Sequence, residues 1–311
     1  MPALAEFLTP ERIARRTAAA VDAAVAAGRE RGLTVTGARV LHEVFSVVVH
    51  LAPAPVVARM PVVLPESATV HTLAQRQQAE LDVTWWLDQQ GVPVIPPSPL
   101  VAREPVARDG FSMTFWQFVE EDRSGEPDYA VNAESTARLH AALRDYPGPL
   151  SYLSAAEPDF ITECLTLLEQ GPSPISAADV ARARREWAAL EPLVRSRAAF
   201  EERFPGIDVQ PIHGDSPPAN IFAGVDGPRY ADFELVTLGP VEWDLAALGP
   251  ELEAAYNRGA RREGLRELDA EVSRFVNGVG VLRAIAFLAL APQLPALVDY
   301  VLPSLEEWRA G

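Results

Sequence analysis

The chain has 311 residues, of which 48% are hydrophobic and 23% charged, and a formal net charge of -16. This length accommodates one large domain or two lobes with an ample core. The acidic balance argues against a general nucleic-acid or anionic-membrane binder, because both kinds of partner select basic surfaces. All 27 residues counted as lysine or arginine are arginines, so any cation that holds a phosphate group must be an arginine.

Signals for membrane insertion and secretion are missing from the sequence. No run approaches the roughly 18 apolar residues that a spanning helix needs. The longest candidate, residues 284–298, is interrupted by prolines and is expected to form a buried helix. Residues 1–7 lack a basic segment leading into an apolar one. The single cysteine, Cys164, cannot form an internal disulfide, which predicts a cytoplasmic protein without a membrane partner.

The first part of the chain mixes helix and strand signals. Thr9, Pro10 and Glu11 form a helix start, which predicts a helix as far as about Arg31. Two β-branched runs joined by a proline-rich breaker predict antiparallel strands, and a second helix and a buried strand follow. These four segments are residues 46–51, 56–60, 73–90 and 111–119.

After Glu120 the strand signals thin out. Helices are expected over residues 135–143, 160–169, 177–197 and much of 250–290. Turn residues at 225–228 predict one small hairpin. A strand-rich front and a helical back therefore predict an α+β protein, with the boundary near residues 118–122.

Three polar residues have a spacing that indicates phosphoryl transfer. Asn220 follows Asp215 by five residues, and Asp232 follows Asn220 by twelve and directly precedes Phe233. In kinases the first Asp accepts the proton of the substrate hydroxyl, while the Asn and the second Asp hold metal ions that bridge the phosphates. Each residue alone would be an ordinary turn or structural residue, so the prediction depends on their joint spacing.

Four further residues are expected near this motif. Arg59 lies in an apolar strand, where a charge is costly unless it is paired. Pairing with Glu80 would orient its guanidinium on the α- and β-phosphates. The alternative is an Arg59 that points outward from an edge strand. Asp244 is expected to brace the catalytic loop, and His213 to be a hydrogen-bonded structural residue.

These segments resemble the aminoglycoside phosphotransferase and choline kinase family, which has the protein-kinase-like fold. The resemblance covers nearly the whole chain and is strongest between His213 and Leu248. It rests on His213-Gly214-Asp215-Ser216-Pro217-Pro218-Ala219-Asn220, Asp232-Phe233-Glu234, Gly239-Pro240-Val241-Glu242-Trp243-Asp244-Leu245-Ala246 and Ala137-Arg138-Leu139-His140-Ala141. Pro217 and Ala219 replace the usual histidine and glycine, and residues 42–46 contain no glycine.

The resemblance implies a bilobal α+β fold, with a nucleotide-binding lobe over residues 1–118 and a catalytic and substrate-binding lobe over residues 119–311. It implies that Asp215 is the catalytic base or positioning acid. Asn220 and Asp232 would hold magnesium.

The nucleotide site follows from the same resemblance. Arg59 would replace the usual third-strand lysine, and Glu80 would be the glutamate of the front-lobe helix. Adenine would bond main-chain atoms of Gln117 and Val119. Ser46 would lie at the loop over the phosphates.

We therefore expect a magnesium-dependent kinase that uses ATP, with GTP as an alternative. The acceptor would be a hydroxyl of a small molecule, such as an aminoglycoside, an amino sugar or a related natural product. Four acids in the helical lobe would suit a cationic acceptor: Glu157, Asp159, Glu251 and Glu253. Glu234 and Glu242 would either face the substrate or be solvated. The chain would act as a monomer or homodimer, in antibiotic resistance or in primary metabolism.

Two rival interpretations belong to other functional classes. A catalytically silent pseudokinase would bind nucleotide and act through partners, and Arg59 and the glycine-free loop favour it. A metal-dependent phosphoesterase would use the same acids with water as the nucleophile. In that case the Gln117 hinge and the pairing of Arg59 with Glu80 would have no purpose.

Overall fold

A computed structural model describes residues 8–65, 68–171 and 173–311. Residues 1–7, on which the expectation about secretion rests, lie outside them. The helices are α1 Pro10–Glu30, α2 Val70–Gln89, α3 Tyr129–Leu143, α4 Pro158–Gln170, α5 Ala177–Arg195, α6 Arg197–Arg203, α7 Pro250–Arg262, α8 Ala270–Phe287 and α9 Leu297–Ala310. The strands are β1 Arg39–Glu43, β2 Ser46–His50, β3 Val56–Pro61, β4 Val106–Arg108, β5 Phe111–Gln117, β6 Gln210–Ile212, β7 Ile221–Gly224, β8 Gly227–Tyr230 and β9 Thr237–Gly239.

The front of the chain forms an antiparallel sheet in the order β1-β2-β3-β5-β4. Thr9 caps α1 by accepting a hydrogen bond from the N–H of Arg12, as its sequence predicted. The small residues of α1 lie in one core cluster with apolar residues of β2, β3 and β5. Alanine allows this close approach because its side chain ends at the β-carbon. The members of α1 in this cluster are Ala20, Ala23, Ala24 and Ala27.

The back of the chain is mainly helical, with two short two-stranded sheets, β6-β9 and β7-β8. Its largest core cluster contains apolar residues of α4, α5 and α8. The segment Ala270–Leu290 is long and apolar enough to cross a membrane by length and composition. Its residues Val272, Val276, Val279 and Leu282 are fully buried in that cluster, as expected of a core helix.

The sheet followed by helices confirms the α+β, kinase-like fold. The predicted buried helix over residues 284–298 is wrong. α8 ends at Phe287, a 3₁₀ turn occupies Leu288–Leu290, and α9 begins only at Leu297. Pro292 and Pro295 lie in this gap and lack the N–H that helix propagation requires. Three short strands, β4, β6 and β9, were not predicted, because three residues carry too little periodicity.

Gly259 allows α3 and α7 to pack closely. A β-carbon at this position would lie 2.1 Å from the backbone oxygen of Glu134 and 3.0 Å from the β-carbon of Ala137. We expect Gly259→Ala to lower the free energy of unfolding by about 1–3 kcal/mol, since a backbone atom cannot yield as a side chain can. Urea unfolding followed by circular dichroism measures this change.

Gly280→Ala is the matched control, since Gly280 lies inside α8 and a β-carbon added there would meet nothing within 4 Å. It should raise the free energy of unfolding by about 0.5–1 kcal/mol through helix propensity alone. Equal effects of the two substitutions would contradict the close packing of α3 on α7.

Candidate active site

Arg59 of the front sheet pairs with Glu80 of α2. It lies in the middle of β3, and its Nη1 donates to Oε1 of Glu80 at 2.7 Å. Their side chains are 13% and 3% exposed. The pairing predicted from the sequence is therefore present, and the outward-pointing alternative is excluded.

Two more carboxylates share the same guanidinium. Nη2 of Arg59 lies 2.5 Å from Oδ1 of Asp232, and it also donates to Glu234. Asp232 has a left-handed backbone with φ of 64°. Its Oδ1 is buried and accepts no well-directed hydrogen bond from the described residues, so its contact with Arg59 is mainly electrostatic.

The cluster holds more negative than positive charge. Burial raises the pKa of Glu80, and the Arg59 guanidinium opposes that rise. Burial also raises the pKa of Glu234, again against Arg59, while the neighbouring Asp232 adds to the rise. A single arginine does not compensate three carboxylates, so a cation placed beside them would be stabilised.

The loop that carries Asp215 has a strained backbone. Gly214 has φ of 91°, and a β-carbon there would lie 1.9 Å from the backbone oxygen of Leu235. Ser216 has φ of 40°. These two residues display Asp215 toward the cleft, and its carboxylate accepts no hydrogen bond from a residue in the described ranges. Burial raises the pKa of Asp215, and the positive charge of Arg283 opposes the rise.

Asp244 holds this loop in place from beneath, as expected from the sequence. Its Oδ2 accepts from the backbone N–H of His213 at 2.9 Å, and its Oδ1 accepts from that of Gly214 at 2.7 Å. Nε2 of His140 lies 2.9 Å from Oδ2. Asp244 is fully buried, so each oxygen is committed to a structural bond and takes no direct part in chemistry.

His213 joins the Asp215 loop to the Asp232 loop. Its Nε2 lies 2.8 Å from the carbonyl oxygen of Ala231, and its Nδ1 lies 3.3 Å from the backbone N–H of Asp215. A carbonyl can only accept and a backbone N–H can only donate, so the imidazole is neutral with its proton on Nε2. His213 is therefore the structural residue that its sequence position indicated.

Asn220 and Asp232 lie at the base of the β7-β8 hairpin. The backbone N–H of Ala231 donates to the backbone oxygen of Asn220 at 2.9 Å. Nδ2 of Asn220 donates to the backbone oxygen of Asp215 at 2.5 Å, which leaves its Oδ1 available. Amide and carboxylate oxygens are the ligand types that magnesium prefers. The amide oxygen of Asn220 and the carboxylate of Asp232 therefore fit a magnesium ion.

No group of three or more His, Cys, Asp or Glu within the described ranges is arranged to hold a metal ion by itself. A site with one carboxylate and one amide agrees with this, because magnesium usually keeps waters and takes its other ligands from substrate phosphates.

Two adjoining cavities form the cleft. The larger has a volume of about 770 Å³ and runs from the hinge residues Gln117 and Val119 to Asp232. The smaller has a volume of about 370 Å³ and contains Asp215. Both are lined by Arg59, Glu80 and Asp232 among others, so the ion cluster lies where they meet.

The hinge offers an unused backbone donor. Gln117 ends β5, and its N–H donates to the backbone oxygen of Pro96 at 3.0 Å. The N–H of Val119 donates to no atom in the part of the chain that the structure describes. Val119 therefore presents a free donor at the larger cavity.

Ser46 lies at the start of β2, is buried, and lines the smaller cavity. Phe45 forms the preceding turn, and its ring packs edge-on against Phe287 with centroids 6.2 Å apart. The backbone oxygen of Phe45 also accepts from the N–H of Val62 at 2.9 Å. This turn is fixed by aromatic and backbone contacts in place of glycines.

The acids expected around a cationic acceptor are mostly elsewhere. Glu157 lines the smaller cavity, whereas Asp159 is 87% exposed and pairs with Arg195. The remaining two are on α7 and line neither cavity: Glu251 and Glu253. Of these four acids, only Glu157 therefore lines the cleft.

Glu234 and Glu242 have different environments. Glu234 lines the smaller cavity beside Arg59. Glu242 is buried, binds both guanidinium ends of Arg266, and accepts from the N–H of Asp269 at 2.7 Å. Neither expected role, substrate contact or solvated acid, holds for Glu242, because its carboxylate is consumed by these bonds.

Sequence reasoning missed two arginines of the smaller cavity, Arg76 on α2 and Arg283 on α8. Both bind Glu157. The only sequence signal was the single arginine in the otherwise apolar end of α8. Glu157 lies 81 residues after Arg76 and 126 residues before Arg283. No local sequence pattern reveals contacts at such separations.

A family model described as "Phosphotransferase enzyme family" matches residues 42–288. The chain belongs to this phosphotransferase family. The match spans the front sheet from the end of β1 onward, the Asp215 loop, the β7-β8 hairpin and α8. No curated protein matches the chain significantly.

Solved structures share the fold. A microcompartment-associated aminopropanol kinase has 16% identity and a TM-score of 0.59, with 91% of this chain and 95% of that chain covered. An aminoglycoside phosphotransferase in complex with GDP and kanamycin has 15% identity and a TM-score of 0.58, with 92% and 97% covered. The choline kinase LicA from Streptococcus pneumoniae has 13% identity and a TM-score of 0.56, with 92% and 99% covered.

The acid-rich cleft predicts a pH-dependent stability. Burial raises the pKa values of Asp215, Glu80 and Glu234, so the folded protein binds protons more tightly than the unfolded chain. These groups stabilise the folded protein fully below about pH 4, the pKa of such carboxyl groups in the unfolded chain. This stabilisation is lost as pH rises through their pKa values in the folded protein. Glu234→Gln removes one such group, so its Tm relative to the wild type should increase between pH 5 and pH 8.

Differential scanning fluorimetry across this range measures the difference. Asp226→Asn is the control, because Asp226 is exposed in the β7-β8 turn and its Tm difference should stay flat. A Tm difference for Glu234→Gln that decreases toward pH 8 would contradict the raised pKa.

Proposed function

We propose that the protein is a magnesium-dependent kinase that transfers a phosphoryl group from ATP, with GTP as an alternative, to a hydroxyl of a small molecule. The observation that carries this proposal is that Asp215, Asp232 and the Arg59–Glu80 pair line one cleft, while Asn220 is bonded to the backbone of Asp215. Membership of the phosphotransferase family supports it.

Asp215 is proposed as the group that receives the proton of the acceptor hydroxyl. Its carboxylate faces the smaller cavity, is not occupied by internal hydrogen bonds, and has a raised pKa. A raised pKa brings a carboxylate closer to the operating pH and makes it a better general base. Asp244 and His213 act by positioning, since they accept hydrogen bonds from the backbone N–H groups of His213, Gly214 and Asp215.

Asn220 and Asp232 would hold magnesium, which when bound supplies positive charge to the phosphates. The carboxylate of Asp232 belongs to the cluster where carboxylates outnumber cations, and Asn220 is bonded to the backbone of Asp215. Nη2 of Arg59 contacts Asp232, while Nη1 stays with Glu80. The protein residues thus orient the phosphates between Arg59 and the hairpin.

The larger cavity is proposed as the nucleotide site. The unused N–H of Val119 and the hinge at Gln117 suit the edge of a purine, and Trp116, Phe118 and Ile95 provide apolar walls. Its volume of about 770 Å³ falls within the usual range of small-molecule sites. The front-lobe boundary between residues 118 and 119 belongs to this proposal.

The acceptor was expected to be an aminoglycoside, an amino sugar or a related natural product. Solved structures with kanamycin, choline or aminopropanol in their names support a small-molecule acceptor. The positions of Asp159, Glu251 and Glu253 outside the cleft do not support a polycationic acceptor. The proposed acceptor is therefore a small molecule that carries a hydroxyl group.

Asp215→Asn tests the proposal directly. Magnesium-dependent ADP release with an active acceptor should fall by about 10²–10⁴-fold, the usual contribution of a general base. Stabilisation of the protein by ATP and magnesium should persist, because Asp215 is not among the proposed nucleotide or metal ligands. A panel of hydroxyl compounds in a coupled ADP assay provides the measurement.

Asp226→Asn provides the matched control, since this exposed turn residue has the same change of charge. Undiminished turnover in Asp215→Asn would contradict the proposed base. Nucleotide binding without turnover on any acceptor would favour the silent binding module. Absence of any nucleotide effect would exclude both interpretations.

Glu80→Gln separates a kinase from a phosphoesterase. Removing one charge of the buried pair leaves Arg59 without its partner on α2, so ATP-dependent turnover should fall by about tenfold or more. A phosphoesterase that uses Asp215 and Asp232 with water would keep its activity on phosphate esters. Steady-state rates of the wild type and the variant with ATP and with p-nitrophenyl phosphate decide between them.

A further inference from the structure

The smaller cavity contains a cationic cluster opposite Asp215. Nη2 of Arg76 donates to Oε1 of Glu157 at 2.7 Å. Nε and Nη2 of Arg283 both donate to Oε2 of Glu157, at 3.1 and 2.6 Å. One carboxylate therefore joins an arginine of α2 to an arginine of α8, and all three residues line the cavity.

Glu157 is held rigidly at this point. It precedes α4 with a left-handed backbone, φ of 50°, and its side chain is 16% exposed. Its pKa is lowered in spite of burial, because both guanidinium groups favour its ionised form. It is a fixed anion that orients the two arginines, and not a free acid awaiting a cationic ligand.

Within this cluster the two arginines share the one carboxylate to which they are hydrogen-bonded. The charges of Asp215 and Glu234 act on them without a hydrogen bond. Nε and Nη1 of Arg76 and Nη1 of Arg283 make no hydrogen bond to any residue within the described ranges. None of these nitrogens is a buried, unsatisfied atom, so they remain accessible. A second carboxylate would complete a set of two arginines and two anions.

The cavity is small, and part of its wall is apolar, although Arg59, Glu80 and Glu234 also line it. Its volume of about 370 Å³ is near the lower end of the range for ligand sites. Apolar side chains surround the arginines: Phe45, Phe160, Leu73, Leu235, Phe287 and Leu290. A compact ligand with some apolar surface fits such a wall better than a large polycation does.

We infer that the acceptor is a small hydroxy carboxylate, whose carboxylate binds Arg76 and Arg283 while its hydroxyl faces Asp215. This inference rests on the proposed kinase function and deepens it by naming the substrate class. In the reaction, the hydroxyl oxygen forms a bond to the γ-phosphorus of ATP, and the bond from that phosphorus to the bridging oxygen breaks. ADP leaves, and the hydroxyl proton passes to Asp215.

The test compares matched acceptors. A library of aliphatic and aromatic hydroxy carboxylates, their primary amides, amino alcohols and kanamycin is assayed for ADP release with the full chain, ATP and magnesium. The best carboxylate should exceed its own amide by about 30-fold or more in kcat/KM, the loss expected when a desolvated charge pair loses one partner. Turnover confined to neutral or amine acceptors would overturn the inference.

Two variants assign the preference to the arginines. Arg76→Gln and Arg283→Gln should each raise KM for the carboxylate by a much larger factor than KM for its amide. Arg76 is 40% exposed, so its variant keeps the test valid if loss of Arg283 unfolds the protein. Arg274→Gln is the control, because Arg274 lies exposed on the same helix and away from the cavity. An equal fall in kcat with every acceptor would overturn the inference, since Arg283 would then serve the transferred phosphoryl group.

Binding decides the question if no library member is phosphorylated. The protein loaded with ADP and magnesium is then examined with the same carboxylates by saturation-transfer NMR. Binding that disappears in Arg76→Gln supports the inference, and failure of every carboxylate to bind overturns it. If ADP itself fails to bind, the proposed kinase function is overturned first, and the two failures are thereby distinguished.

Discussion

The structure of the cleft depends on the ion pairs that the guanidinium of Arg59 forms. This guanidinium is a buried positive charge inside an apolar sheet, and such a charge is tolerated only when it is paired. Its partners come from α2, through Glu80, and from the segment after the β7-β8 hairpin, through Asp232 and Glu234. One side chain therefore ties the front sheet to its own helix and to the loop of the helical lobe. Removing it would leave three carboxylates facing one another.

A second buried network fixes the opposite side of the cleft. Asp244 accepts two backbone hydrogen bonds from the Asp215 loop and contacts His140 of α3. His213 then links this loop to Ala231, next to Asp232. Asp215 is consequently held by the Asp244 network, and the carboxylates around Arg59 are held by their ion pairs. The imidazole of His213 connects the two groups. This arrangement keeps their separation fixed without any direct bond between them.

The sequence identifies candidate residues most readily where the pattern that marks them is local. Asp215, Asn220 and Asp232 stand out because their spacing lies within one loop and hairpin, and Arg59 because a charge interrupts an apolar strand. Glu242 was misjudged, since its partner Arg266 lies 24 residues later with no pattern to join them. The Glu157 cluster escaped for the same reason. Prolines and short strands explain the errors of the fold, at residues 284–298 and at β4, β6 and β9.

The absence of lysine from this chain gives the cleft a particular property. An ammonium is a compact point charge, whereas a guanidinium has two ends that bind different partners at once. In Arg59 one end stays with Glu80 while the other contacts Asp232 and Glu234. Arg59 lines both cavities, so any phosphate bound beside its second end must compete with the protein's own carboxylates. An added cation beside Asp232 would weaken these internal contacts and free the same nitrogen for phosphate. Under the proposed function, metal and nucleotide binding would therefore assist each other through this one side chain.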